Sequence, residues 1–287
     1  MSKYILSAFA DEAGESLEEQ IAALQRNGIR YMEVRAVNGM NICKTPLATV
    51  AEYRKQLDEA GIRVVTIGSP IGKVAIDDDW NAHLAMFLHT LGVAKILGAT
   101  GIRMFSLFMP KGQDPAQYRE LVMARMRQLL DIAKTVGVTL YHENEKDIYG
   151  DVDSRVMDLM DTFGDEMKFI FDPANYVQCG CRPGAIYPKL KDHTAYFHIK
   201  DALFSDSSVV PAGEGDGDVR QILVDFAKDH EDTMLTLEPH LKIFPGFSDT
   251  VSMRNDKDYI YESNEEAFDV AVAALKKILD EEGLCYA

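Results

Sequence analysis

Hydrophobic residues along the chain keep two spacings in alternation. Stretches in which apolar positions recur every three or four residues run to a Gly or an Asp/His stop, then give way to four to six β-prone residues ending in something polar. Eight strand-like pieces stand out: YILSAF (4–9), RYMEVR (30–35), RVVTIG (63–68), IRMFSL (102–107), VTLYHE (138–143), KFIFD (168–172), AYFHIK (195–200) and MLTLE (234–238). Helical periodicity fills the intervals at 16–27, 46–60, 79–98, 114–136, 152–163, 183–192, 218–229 and 264–282, so each strand is followed by a helix. Start signals agree. Ser16 with Glu19 spells a capping box, and Thr45-Pro46 and Asp114-Pro115 each place proline at a first helical position. Gly28, Gly61 and Gly137 suit left-handed helix stops.

Alternating strands and helices demand parallel pairing with the helices outside, and eight units is the number that closes a ring. An open doubly wound sheet is the competing arrangement. No linker rich in Pro, Gly or Ser divides the chain, so the expectation is one (β/α)8 TIM barrel spanning 1–287, with its site at the carboxyl ends of the strands. The longest irregular stretches, 201–217 and 239–263, follow the seventh and eighth strands, where such barrels carry functional loops.

Composition narrows the partners. The 287 residues are 47% hydrophobic, enough for a sizeable core, and 30 basic residues against 46 acidic give a net charge of −16. That field repels phosphate backbones and anionic membranes, so no nucleic-acid partner and no membrane partner is expected. No apolar stretch approaches the roughly 20 residues of a membrane span. The start, MSKYILSAFADEAGE, turns acidic too soon for a secretion signal, so the expected location is cytoplasmic. Cys43, Cys179, Cys181 and Cys285 are too few and too scattered for a disulfide framework and read as free thiols.

In a parallel barrel every strand opens onto the same rim, so residues remote in sequence meet when each closes its own strand. Strand five ends in His142 and Glu143, strand six in Asp172, strand seven in His198 and strand eight in Glu238. Three carboxylates crowded together without a countercharge would repel, and a divalent cation resolves the repulsion. Glu143, Asp172, His198 and Glu238 form an O,O,O,N set suited to one Mn²⁺, Mg²⁺, Co²⁺ or Zn²⁺; without a thiolate, it does not read as a closed structural zinc site.

The segments SAFADEAGESLEEQIAALQRNGIRYMEVR, HENEKDIYGD, FDPANYV, FHIKDA, PAGEGDGD and LEPH carry a resemblance that runs nearly end to end. The chain resembles the sugar phosphate isomerase/epimerase superfamily, the xylose isomerase-like barrels, which also includes inosose dehydratases and a branch of apurinic endonucleases (AP endonuclease family 2). The resemblance implies that Glu143, Asp172, His198 and Glu238 bind one divalent metal, and that Glu143 and Glu238 act as the catalytic acid and base on opposite faces of a substrate. Ketose 3-epimerases usually carry a His three residues beyond the metal-binding Asp and a second Glu six residues beyond the strand-five ligand. Asn175 and Tyr149 stand at those positions, which argues against a ketohexose 3-epimerase.

Further candidates for substrate contact are His142, Lys73, Asn175, Lys200, Glu214 and His240. Strand residues alternate faces, so His142 and Glu143 cannot both enter the lumen from a regular strand. Glu33 and Arg35, two apart, share a face and read as a salt bridge across the barrel. Lys73 in GSPIGK lacks the spacing of a phosphate-binding loop but could meet a substrate phosphate or carboxylate. GEGDGD (213–218) reads as a flexible rim loop, since its own acids would repel a pyrophosphate. HENEK lacks the second His of a zinc-protease helix, and His83 and His89 read as packing or surface residues.

The expected function is a metal-dependent isomerase or epimerase of a small sugar or sugar phosphate working through an enediolate, with a lyase or dehydratase acting on a keto sugar or inosose as the alternative. A non-catalytic sugar-binding barrel and an abasic-site endonuclease stand behind both. Barrels of this kind pair through rim loops or outer helices, so a homo-oligomer is compatible with the sequence.

Overall fold

The computed structural model describes residues 3–230, 232–244 and 261–287. Eight parallel strands form the ring: β1 Lys3–Ala8, β2 Tyr31–Val34, β3 Arg63–Ile67, β4 Gly101–Met104, β5 Thr139–Glu143, β6 Met167–Phe171, β7 Thr194–Ile199 and β8 Thr233–Leu237. Each pairs with its sequence neighbour, and β8 returns to β1 with Leu6 opposite Leu235, which closes the barrel. A two-residue strand, Cys285–Tyr286, lies alongside Lys3 and Tyr4 of β1.

The outer helices are α1 Leu17–Arg26, α2 Leu47–Ala60, α3 Trp80–Leu97, α4 Arg119–Val136, α5 Asp153–Phe163, α6 Pro183–Leu190, α7 Val219–Asp229 and α8 Asn264–Glu281. None is long and apolar enough to cross a membrane. The capping box at Ser16 forms: the Glu19 N–H donates to Ser16 Oγ and the Ser16 N–H donates to Glu19 Oε2. Gly28, Gly61 and Gly137 take φ of 67°, 71° and 71°, the left-handed conformation that ends a helix without a Cβ clash. Proline is displaced from the expected positions: Pro46 precedes α2, and Pro115 opens a 3-10 turn, Pro115–Tyr118, ahead of α4.

Several short elements carry too few residues to show a helical period in the sequence, and two of them shape the rim. A 3-10 turn, Ala10–Glu12, follows β1, and a short helix, Pro173–Gln178, follows β6. Asp172 caps that helix by accepting the Asn175 N–H, which fixes one of its carboxylate oxygens at the rim. Residues 245–260, most of the irregular stretch expected at 239–263, lie outside the described residues.

Alternation along each strand sorts side chains into two layers. Outward residues such as Phe169, Phe171 and Phe197 pack against the helices: Phe197 meets Phe226 of α7 edge-on at 5.0 Å, and Phe171 meets Tyr187 of α6 at 5.8 Å. Inward residues fill the lumen, where Tyr141 and Tyr196 meet edge-on at 5.2 Å across the intervening strand. Above that aromatic layer the interior becomes charged.

Candidate metal centre and active site

The register of the ladder carries four metal-competent side chains to one height. Glu143 lies opposite Ile170, Ile170 opposite Tyr196, and His198 opposite Thr236. Asp172, His198 and Glu238 each stand two residues beyond one of these partners, on the same face, and strand tilt brings the set level. One ligand atom from each of Glu143, Asp172, His198 and Glu238 falls within 4.8 Å of the others, and all four residues are buried.

Two atoms in this cluster are the ones a cation would satisfy. His198 Nδ1 and Asp172 Oδ2 are buried without a hydrogen bond. Lys200 Nζ does lie 3.0 Å from Asp172 Oδ2, and His198 Nδ1 lies 3.0 Å from Glu143 Oε1, but neither contact has hydrogen-bond geometry. The donor set and these orphaned atoms therefore fit a divalent ion.

Glu33 of β2 orients the imidazole. Its Oε2 lies 3.1 Å from His198 Nε2 and accepts the Tyr196 hydroxyl at 3.1 Å, so the Nε2 proton points at Glu33 and Nδ1 faces the cluster, where an ion would displace its proton. This corrects the expected Glu33–Arg35 salt bridge. The two share a face but occupy successive layers, and Arg35 pairs instead with Asp11, Glu12 and Glu238 at 2.9–3.0 Å.

Six buried carboxyl groups (Asp11, Glu12, Glu33, Glu143, Asp172, Glu238) meet three buried cations (Arg35, Arg103, Lys200), leaving three negative charges uncompensated before any histidine is counted. The metal-free cluster answers by taking up protons. Burial, reinforced by Glu143 and Glu238, lifts the Asp172 carboxyl to about 7 against the pull of Lys200. Burial pulls His198 down, but Glu143 and Glu33 outweigh it and hold the imidazole up at about 10. Burial lifts Glu12 to about 8. Burial also pushes Glu143 up, yet His198 and Arg103 prevail and keep it at about 2, while Lys200, His240, His198 and Arg35 hold Glu238 well below the usual carboxylate range.

The remaining candidates divide. Lys200 bridges Asp172 Oδ2 and Glu238 Oε2, at 3.0 Å from each. Asn175 donates to Glu143 Oε1 at 3.3 Å and to the Asn144 carbonyl at 2.8 Å. His240 sits 3.6 Å from Glu238 Oε1 and 3.4 Å from Glu12 Oε1. Lys73 pairs with Glu145 at 2.8 Å and lies 4.4 Å above the Phe105 ring.

His142 and Glu214 stand apart from the cluster. His142 occupies the outward face of β5, as strand alternation requires; it shares a hydrogen bond with Ser106 Oγ, stacks on Phe169, and is pushed down to about 3 by burial. That placement gives it a packing role in place of the substrate contact considered above. Glu214 is exposed in the loop after β7, whereas Glu143, Asp172, His198 and Glu238 are all buried. His83 accepts the Gly72 N–H and His89 meets the Thr45 carbonyl, both packing roles. Tyr149 turns away from the rim and donates to Asp158 at 2.6 Å.

Three features escaped the sequence. Arg103 lies inside the apolar run IRMFSL and reaches Glu143 Oε2 at 3.0 Å; a charge in the middle of a buried strand was the available signal. Asn144 exchanges two hydrogen bonds with the Asp172 backbone, both 2.9 Å, and so ties the ends of β5 and β6 together. The GEGDGD loop is pinned, contrary to the flexible rim loop expected. Asp201 accepts backbone N–H groups from Gly213, Gly215 and Gly217 at 2.8–3.1 Å, and a Cβ at Gly215 would lie 2.3 Å from its Oδ1.

A profile of the xylose isomerase-like TIM barrel family matches residues 21–242. The chain belongs to that family. A search of curated proteins by sequence finds no match. Among solved structures, this xylose isomerase-like barrel resembles IolI with a bound zinc atom, at TM-score 0.73 and 15% identity over 98% of this chain and 99% of that one. D-allulose 3-epimerase from Methylomonas sp. superimposes at TM-score 0.74 and 16% identity, covering 98% and 99% of the two chains. The probable 3-DHS dehydratase AsbF of Bacillus anthracis does so at TM-score 0.71 and 15% identity, covering 96% and 97%. At these identities the likeness establishes the fold alone.

Proposed function

We propose that this barrel is a divalent-metal-dependent isomerase or epimerase of a small sugar or sugar phosphate. The observation that carries the reading is the convergence of Glu143, Asp172, His198 and Glu238 within 4.8 Å. Within that set, a buried Asp172 oxygen and a buried His198 nitrogen have no hydrogen bond. A divalent cation held there would polarise a carbonyl oxygen and its neighbouring hydroxyl, acidifying the carbon-bound proton between them.

The chain's own groups divide the remaining work. Glu143 and Glu238 are the end members of the ligand set, on β5 and β8, and so flank the reacting centre. Arg103 at 3.0 Å from Glu143 and Arg35 at 3.0 Å from Glu238 keep both carboxylates ionised and able to accept a proton. Return of that proton to the opposite face of the same carbon gives an epimer; return to the adjacent carbon gives an isomer. Lys200 and His240 are placed to orient hydroxyls, and Lys73 to meet a phosphate or carboxylate on the substrate.

Elimination of a β-hydroxyl from the same enediolate is the second reading. It is favoured by Asn175 and Tyr149, which withhold the His and Glu expected of a ketose 3-epimerase, and by the likeness to a probable dehydratase.

The test is metal analysis of the purified protein together with a panel of keto sugars and their phosphates followed by NMR in deuterated water. Deuterium uptake at the carbon beside the carbonyl, abolished by Glu143→Gln or Glu238→Gln while sugar binding survives, supports the assignment. Gain of enone or diketone absorbance selects the lyase. Absence of bound metal and of exchange across the panel refutes both.

A further inference from the structure

A second group of metal-competent atoms lies beside the first. Glu12, Glu238 and His240 offer ligand atoms within 4.8 Å of one another, all from buried residues. Glu238 belongs to both groups: its Oε2 faces Lys200 at 3.0 Å and His198 Nδ1 at 3.8 Å, and its Oε1 faces the second group. A carboxylate shared in this way is how two-metal centres bridge their ions.

The second position is already filled by a side chain. Arg35 NH1 lies 3.0 Å from Glu238 Oε1 and 3.4 Å from His240 Nε2, and NH2 lies 3.0 Å from Glu12 Oε1. Nε and NH2 are taken by the two Asp11 oxygens at 2.9 and 3.0 Å. Phe9 and Phe244 each hold a ring centroid 4.6 Å from the guanidinium carbon. Four polar partners and two aromatic rings thus fix a group that stays charged at every accessible pH.

The geometry points to Arg35 as a built-in cation standing where a second metal ion would otherwise bind, which makes the centre mononuclear by construction. The inference rests on the proposed function for the first ion and adds a chemical limit to it. A guanidinium has no open coordination position and cannot generate a bound hydroxide. It supplies one positive charge where a second divalent ion would supply two, and it lacks the nucleophile that two-metal phosphodiester hydrolysis needs. The multi-metal hydrolysis that the abasic-site endonuclease reading requires thereby loses its second ion.

Metal stoichiometry tests this without reference to activity. Full-length protein is incubated with Co²⁺, freed of excess by gel filtration and assayed for metal per chain. Wild type should hold one equivalent, Arg35→Ala two, and the double variant Arg35→Ala/Glu12→Gln one. Two equivalents in wild type, or one in a folded Arg35→Ala, overturns the inference. Should Arg35→Ala purify unfolded, Co²⁺ is expected to restore its cooperative melt but not that of the double variant; no rescue by Co²⁺ overturns the inference as well. A wild-type count of zero sinks the proposed function instead, and the second-site inference then stands if Arg35→Ala still gains one equivalent that Glu12→Gln removes, and falls if it gains none.

Discussion

Glu33 lies a full layer below the ion it is expected to control. Glu33→Gln keeps the shape of the side chain and an oxygen able to accept from His198 or Tyr196, but removes the charge; Glu33→Ala removes the acceptor as well. The His198 Nε2 to Glu33 distance is 3.1 Å, and both side chains are wholly buried. A hydrogen bond to a charged group contributes about 1.5–3 kcal/mol, and at about 1.4 kcal/mol per decade this is roughly a 10–150-fold change in affinity. Loss of the partner that orients a metal-bound histidine costs about 10–100-fold. Glu33→Gln should therefore weaken Zn²⁺ or Co²⁺ binding by about tenfold and Glu33→Ala by about a hundredfold, read by competition against a chromophoric chelator. Melting of the metal-free proteins separates loss of the ion from loss of the fold. Binding by both variants within about threefold of wild type, with unchanged metal-free melts, would refute the orientation argument.

Three other perturbations follow from the same structure. Asp172, Glu12 and His198 have values raised to about 7, 8 and 10, so each contributes stability that is complete below its ordinary value and lost as pH climbs through the raised one. The melting temperature of metal-free protein should fall between about pH 6 and pH 10, while metal affinity rises over the same range because the ion displaces the protons on Asp172 and His198; a flat or rising metal-free profile would contradict the buried charge count. Asp201→Ala leaves the N–H groups of Ala202, Gly213, Gly215 and Gly217 without their acceptor. It should cost about 2–3 kcal/mol in urea unfolding, with faster amide exchange at the three glycines. Ser16→Ala breaks the capping box of α1 and should cost about 1 kcal/mol in the same assay, with no effect on metal content.

Much of this architecture is written in local patterns. The switch between apolar periods of two and about 3.6 marks eight strand–helix pairs, and the first and last residues of most depart from the expected ones by no more than one or two. Ser16, Gly61 and Gly137 act through their own backbone neighbourhood, so their roles are readable without the fold. The convergence of Glu143, Asp172, His198 and Glu238 was legible for a related reason: eight parallel strands have one common rim, and a residue that ends a strand must stand on it.

Tertiary structure decided what each rim residue faces. Two residues on one strand face are separated along its axis, so Glu33 and Arg35 fall in different layers and find partners from β7 and from the turn after β1 rather than each other. Whether Arg103 is buried against Glu143, whether Glu238 serves one cation or two, and whether the glycines at 213–217 wander or wrap Asp201 all depend on residues tens to hundreds of positions away. Hydrophobic periodicity comes from burial on one side of a single element and survives in the sequence. Charge pairing in a closed barrel is settled across the lumen, and only the assembled ring determines which charges share that space.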